Sequence, residues 1–203
     1  MAFKLRGLKK RPKEFFLHSA KSVARDILGD YLVVKNKTHT LVGKIVETEA
    51  YLGKRDDASH SFKGKVTPRN KILYFEGSKI YTYLIYGKFY CFNIVVSKKD
   101  DPQAVFIRAL EPVEGINYMQ RRRKVKELHK LTNGPCRWTQ SFGINKSFLG
   151  KSIVSKDIFI AAGPVKNLKI AAAKRIGVDY ATNSKDLPLR FYIKDNPFVS
   201  RLR

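Results

Sequence analysis

The stretch IVETEAYLG, Ile45 to Gly53, sets two carboxylates two positions apart on an apolar strand pattern. Ile45, Glu47, Glu49 and Tyr51 share one face, and Val46, Thr48, Ala50 and Leu52 the other. Two glutamates so spaced stand about 7 Å apart along a strand, a separation that suits paired carboxylates in acid–base hydrolysis. The same spacing equally describes a solvated face with Val46, Thr48, Ala50 and Leu52 turned inward. Other residues bear on the choice. Tyr51 follows on the same face, His60 sits in the next loop, and Arg108 interrupts the apolar run AVFIRAL. A charge inside such a run must find an acid, a phosphate or water, because an unpaired buried charge is very costly. A further oddity is Tyr86, beside Gly87 and Lys88 in a turn sequence. A tyrosine there either folds back over the sheet or stands out as a wedge for a stack of bases.

The elements that must hold these residues are readable from the same patterns. HSAKSVARDILGD has helical spacing at Ala20, Val23, Ala24, Ile27 and Leu28, with Ser19 as cap and Gly29 as terminator. YLVVKNKTHTLVGKIVETEAYLG reads as two strands joined through KNKTH, followed by a long loop, KRDDASHSFKGKVTPRN, of the kind that carries function. KIYTYLIYGKFYCFNIVVS reads as a hairpin turning near Tyr86-Gly87-Lys88, and QAVFIRALEP as a buried strand. EGINYMQRRRKVKELHKL and GPCRWTQSFGI read as helices, SIVSKDIFIA and LPLRFYIKDNPFVS as late strands. The expected class is α+β: one domain over residues 14–203, a mainly antiparallel, mixed and barrel-like sheet with surrounding helices and a protruding hairpin, after a basic tail at 1–13.

Composition limits the partners. With 203 residues and 43% hydrophobic content the chain can bury a real core, and 41 Lys+Arg against 17 Asp+Glu give a net charge of +24. The opening MAFKLRGLKKRPK supplies six of these charges without an acid before its end, leaving about three quarters of the excess on the folded body. Such a surface is drawn to a polyanion through salt-sensitive contacts; a cationic surface serving only solubility or heat resistance is the alternative. Cys91 and Cys136 form no CxxC pattern, which speaks for a reducing compartment and against a zinc site. No apolar segment has the length of a membrane span and FFLHSA is a poor signal core, so a cytoplasmic (nucleoid) or nuclear protein is expected rather than a secreted one.

IVETEAYLG, ASHS, TPRN, YTYLIYG, FIRALEP, GP, INKSF, RIGVDYA and LPLRFYI follow one another in the order seen in the alkyladenine (3-methyladenine) DNA glycosylases, also called the methylpurine glycosylase family. The chain resembles that family from about Ala20 to Ser200. The resemblance implies a monofunctional DNA glycosylase that flips alkylated or deaminated purines out of duplex DNA and hydrolyses their N-glycosidic bond. On this matching Glu49 is the general base and Arg108 lies near the attacking water and phosphate. Tyr51, His60 and Tyr83 wall the base pocket, and Asn93 crowds the guanine amino group. Tyr86 is the intercalating side chain. Thr67 and Arg69 of TPRN, Lys88, Phe89, Ile176 and Gly177 belong to the DNA contacts, with the Ile176 and Gly177 backbone helping to hold the water or the adjacent phosphate. The resemblance implies no metal and no cofactor, double-stranded DNA with damaged purines as partner, no membrane, and a monomer. Lys88 stands where some members carry an apolar residue and Phe89 where others carry a tyrosine. The short basic start is unlike the long extension of mammalian members. Glu47 receives no role.

Two other readings compete. One is a nucleic-acid-binding module of this fold without catalysis; the other is a carbohydrate glycosidase using Glu47 and Glu49, for which a +24 surface has no use.

Overall fold

Ser19 begins the first helix as its sequence suggests. In the computed structural model, which describes residues 7–164 and 167–200, the Ser19 hydroxyl accepts the Ser22 N–H. The helix α1, Ala20–Asp26, buries Ala20, Val23 and Ala24. Strands β1, Tyr31–Lys35, and β2, Thr40–Tyr51, then pair antiparallel. Their connection is shaped by Asn36, whose carboxamide oxygen accepts the N–H groups of Thr38 and His39.

β3, Ile80–Ile85, and β4, Phe89–Val96, form the expected hairpin, and β5, Gln103–Glu114, is the long strand beside them. Its Ile107 carbonyl accepts the buried Trp138 indole N–H from α3, Pro135–Phe142. Thr139 of α3 donates to the Tyr90 carbonyl of β4, so one helix fixes the spacing of two strands. The helix α2, Ile116–Arg123, is shorter than the sequence suggests: Lys124 at φ 55° ends it, and residues 125–133 are not α-helical. The late strands are β6, Ile158–Ala161, β7, Ile170–Ala173, and β8, Arg190–Ile193.

The sheet runs β3-β4-β5-β2-β1-β6, with β8 on β2 and β7 on β8. All described strand pairings are antiparallel and the path has two ends, so the sheet is open rather than closed into a barrel. Both ends of that path are covered. Arg11 N–H donates to the Ile160 carbonyl beyond β6, and Gly150 N–H to the Ile80 carbonyl beyond β3. Residues 8–13 of the basic start therefore lie against the sheet, with Arg11 paired to Asp30, while residues 1–6 of the expected tail lie outside the described residues.

β2 is the axis. β5 follows one of its edges from Val42 to Tyr51, and the other edge is shared by β1 up to Lys44 and β8 from Glu47 to Glu49. A register irregularity falls at Ile45–Thr48, where the strand changes partner. α1 packs over one face, anchored by the Thr48 hydroxyl on the Ala24 carbonyl. The opposite face is covered by later segments of the chain, so Val46 and Ala50 on one side and Glu47 and Glu49 on the other are all fully buried. The solvated-face reading of the glutamates is thereby overturned. Among the described residues no helix is long and apolar enough to cross a membrane.

Candidate active site

Burying Glu47 and Glu49 requires counter-charge, and arginines supply it. Arg108 of β5 donates from Nη1 to Glu49 Oε1 at 3.2 Å, and its Nε lies 3.4 Å from Glu47 Oε1. Arg190 of β8 donates to the same Glu47 oxygen at 3.0 Å. Arg175, in the loop before β8, makes a fully buried bidentate pair with Asp56 at 2.6 and 2.8 Å. Three carboxylates, Glu47, Glu49 and Asp56, thus meet three guanidiniums in the interior. Burial pushes the Arg108 guanidinium down, but the charges of Glu49 and Glu47 outweigh this and leave it above its ordinary value.

Glu49 is further bound by the Ile176 N–H at 2.7 Å and the Tyr51 hydroxyl at 3.1 Å. Burial, then the Glu49 charge, holds the Tyr51 phenol well above its usual value, so it remains a donor. Tyr51, Arg108 and Ile176 all line a cavity of about 390 Å³, and the Glu49 carboxylate stands immediately behind that wall. Glu47 is held by Arg108, Arg190 and the Ser200 N–H and does not itself line the cavity, so the paired-carboxylate glycosidase arrangement is not built here.

The opposite wall is aromatic. Tyr83 and Tyr81 project from the same face of β3, their rings 5.2 Å apart between centroids. The His60 ring stands 4.8 Å from Tyr83 and bonds the Tyr81 hydroxyl at 2.8 Å. His60 is open to solvent at the rim, while the packing around its imidazole, and then the Arg69 charge, lower its pKa to about 4. At neutral pH the ring is uncharged. Arg69 lies over Tyr83 at 4.7 Å. Asn93 of β4 reaches the cavity with its carboxamide anchored on the Tyr81 carbonyl, and Cys91 beside it has its thiol pushed up to about 12 by burial, too high to act as a nucleophile.

Two loops form the mouth, and adjacent aspartates staple them together. Asp56 holds Arg175, which also lies 4.7 Å over the Tyr51 ring. Asp57 accepts the N–H groups of Thr182, Asn183 and Ser184 and the Ser184 hydroxyl, which hold its carboxyl well below the usual range. The Tyr180 hydroxyl closes the same gap onto the Ala58 carbonyl. Gly177, at φ 76°, faces the cavity with open space where a side chain would stand. Tyr86 occupies the hairpin tip at 87% exposure with φ 51°, a left-handed conformation that is costly for a bulky side chain.

This is a polarised carboxylate behind an aromatic slot, on a strongly basic body. The model of the methylpurine-DNA glycosylase family matches residues 14–197. The chain belongs to that family. A protein of Natranaerobius thermophilus named "Putative 3-methyladenine DNA glycosylase" is 46% identical over 191 residues, covering 92% of this chain and 96% of its own length. Proteins of the same name from Clostridium novyi and Desulfitobacterium hafniense are 43% and 39% identical, covering 96% and 95% of this chain and 100% and 99% of their own lengths. Family membership makes the chain a DNA glycosylase, a hydrolase of N-glycosidic bonds acting on DNA in repair.

Of the residues singled out in the sequence, this glycosylase gathers Tyr51, His60, Arg69, Tyr83, Tyr86, Asn93, Arg108, Ile176 and Gly177 around the cavity, with Glu49 behind it. Thr67 stays outside. It shapes the His60 loop through hydrogen bonds with Asn70, whose side chain in turn donates to the His60 carbonyl. Lys88 and Phe89 line a separate cleft with Arg122 and Arg123. Sequence reasoning missed Tyr81, Asp56, Asp57, Arg175 and Arg190. Arg190 carried the signal that revealed Arg108, a charge inside an apolar strand, in LPLRFYI.

Proposed function

We propose that this glycosylase flips alkylated or deaminated purines, of the 3-methyladenine, 7-methylguanine, hypoxanthine and ethenoadenine types, into the cavity and hydrolyses them from duplex DNA, leaving an abasic site. The observation that carries the reading is Glu49: fully buried, held by Arg108, Ile176 and Tyr51, and separated from the cavity by those same groups. A carboxylate so held takes a proton from water and stabilises the oxocarbenium-like sugar as the base departs. Arg108 and the Ile176 N–H bring positive potential to the same point, suited to the water and the neighbouring phosphate.

The aromatic slot supports base flipping. Stacking between Tyr51, Tyr83 and the neutral His60 offsets part of the cost of unstacking a base, and Tyr86 fills the gap left in the duplex. The strained exposed tip at Tyr86 accords with a functional wedge, since packing onto the sheet would have covered the ring. Asn93, fixed on the Tyr81 carbonyl, is the gate against the guanine 2-amino group. The bacterial relatives carry names that speak of 3-methyladenine, which agrees with this substrate class. The test is incubation with duplexes carrying a single 3-methyladenine, hypoxanthine or ethenoadenine, followed by alkali. Strand breaks at the lesion are expected; intact strands with all three lesions would refute the reading.

A further inference from the structure

Glu47 is as deeply buried as Glu49 and meets the cavity wall through Arg108, yet the proposed reaction leaves it without a task. A buried carboxylate is expensive to keep, so its partners indicate what it does. Oε2 accepts the Ser200 N–H at 2.8 Å, and Oε1 takes Arg190 at 3.0 Å. These contacts fix the rotation of the carboxylate. The remaining partner is Arg108, whose Nε lies 3.4 Å from Glu47 Oε1 as an ion-pair contact without a hydrogen bond, while Nη1 donates to Glu49. One guanidinium is thus divided between two carboxylates on the same face of β2.

We propose that Glu47 is a positioning residue whose charge, 3.4 Å from Nε, holds that edge of Arg108, so that Arg108 engages Glu49 through Nη1 alone and leaves the Glu49 carboxylate able to act on water. The inference rests on the reading of Glu49 as the base. Its physical ground is the geometry of the guanidinium, whose planar fork frequently closes a two-pronged pair on a single carboxylate. Without the Glu47 charge, Glu49 is the one acidic partner of Arg108 within ion-pair distance among the described residues, and Arg108 closes onto both of its oxygens. The base is then sequestered, while the aromatic slot that binds the lesion is untouched.

The test is a double-mutant cycle read by single-turnover excision and by lesion-duplex affinity. Glu47→Gln keeps the shape and removes the charge. It is expected to slow excision at least tenfold while changing the dissociation constant for a lesion duplex less than threefold. In an Arg108→Lys background, where there is no Nε edge to hold, the same substitution should change the rate less than threefold. Equal losses in both backgrounds, or no loss in the first, would overturn the inference, as would a weakening of binding that matches the loss of rate. Should Glu47→Gln not fold, Glu47→Asp, which keeps the charge but shortens the reach, is carried through the same cycle with the same criteria. Wild-type protein that releases no base, or Glu49→Gln that still does, would instead strike the proposed function, so the two failures are distinguishable.

Discussion

Replacing Asp56 by Asn tests whether the staple between the two mouth loops supports both the fold and the site. The Asp56–Arg175 pair is fully buried and bidentate, and Arg175 also donates to the carbonyls of Ala50 and Ser184. The substitution leaves a guanidinium charge in the interior without its carboxylate, a change that costs about 3–5 kcal/mol. At roughly 2–4 °C per kcal/mol for a chain of this size, the melting temperature should fall by about 6–20 °C at pH 7. Burial raises the Asp56 carboxyl, but the hydrogen bond from Arg175 and the Leu52 and Ala58 N–H groups outweigh it, and the net shift is downward. A depressed carboxylate contributes stability that is present above its unfolded value near 3.8 and is lost as pH falls through the lower folded value. The gap between wild type and variant should therefore be constant from about pH 5 upward and shrink below about pH 4. Excision should slow as well, because Arg175 precedes the Ile176 N–H that binds Glu49. Thermal melts from pH 3 to 8, paired with single-turnover excision at 20 °C, are the assays. A shift under about 3 °C at pH 7, or a gap that widens in acid, would refute the reasoning.

Tyr86→Ser should impair flipping, read by a fluorescent base analogue beside the lesion, more than it lowers general DNA affinity, because phosphate contacts remain; equal flipping would remove the hairpin tip from the mechanism. Asn93→Ala should raise excision of guanine-type bases and leave 3-methyladenine removal nearly unchanged, and an unaltered guanine-to-hypoxanthine ratio would discard the gate. Borohydride should trap no covalent protein–DNA adduct, since the proposed mechanism uses the Glu49 carboxylate and water and needs no amine with depressed pKa; an adduct would overturn hydrolysis. His60, depressed to about 4, favours the folded state above the unfolded value near 6.5, so wild type should lose stability relative to His60→Phe as pH falls from 6.5 toward 4.

The elements with strong local signals were legible: Ser19 caps its helix, Gly87 turns the hairpin, and Pro135 starts α3. β7 was not, because the run Ile170–Ala173 is mostly alanine and gains its strand state only by pairing with β8. α2 stops early because Lys124 turns left-handed, and the good helix formers after it do not extend the helix. At the site, Arg108 was legible as a charge in an apolar strand and Glu49 through its motif. The burial of Glu47 was not, since its covering partners Arg190 and Ser200 lie more than 140 residues away and reach it only through tertiary structure. A separation of 125–127 residues likewise hides Asp57, whose partners at 182–184 look like an ordinary polar turn in sequence.

The central claim is that Glu49 is the base of a hydrolytic DNA glycosylase, and Glu49→Gln tests it most directly on a duplex with one 3-methyladenine or hypoxanthine. The amide keeps the shape but cannot take the proton. The account predicts that single-turnover excision falls below detection while the variant still binds the lesion duplex with an affinity close to that of wild type. Excision by Glu49→Gln at a rate comparable to wild type would contradict it.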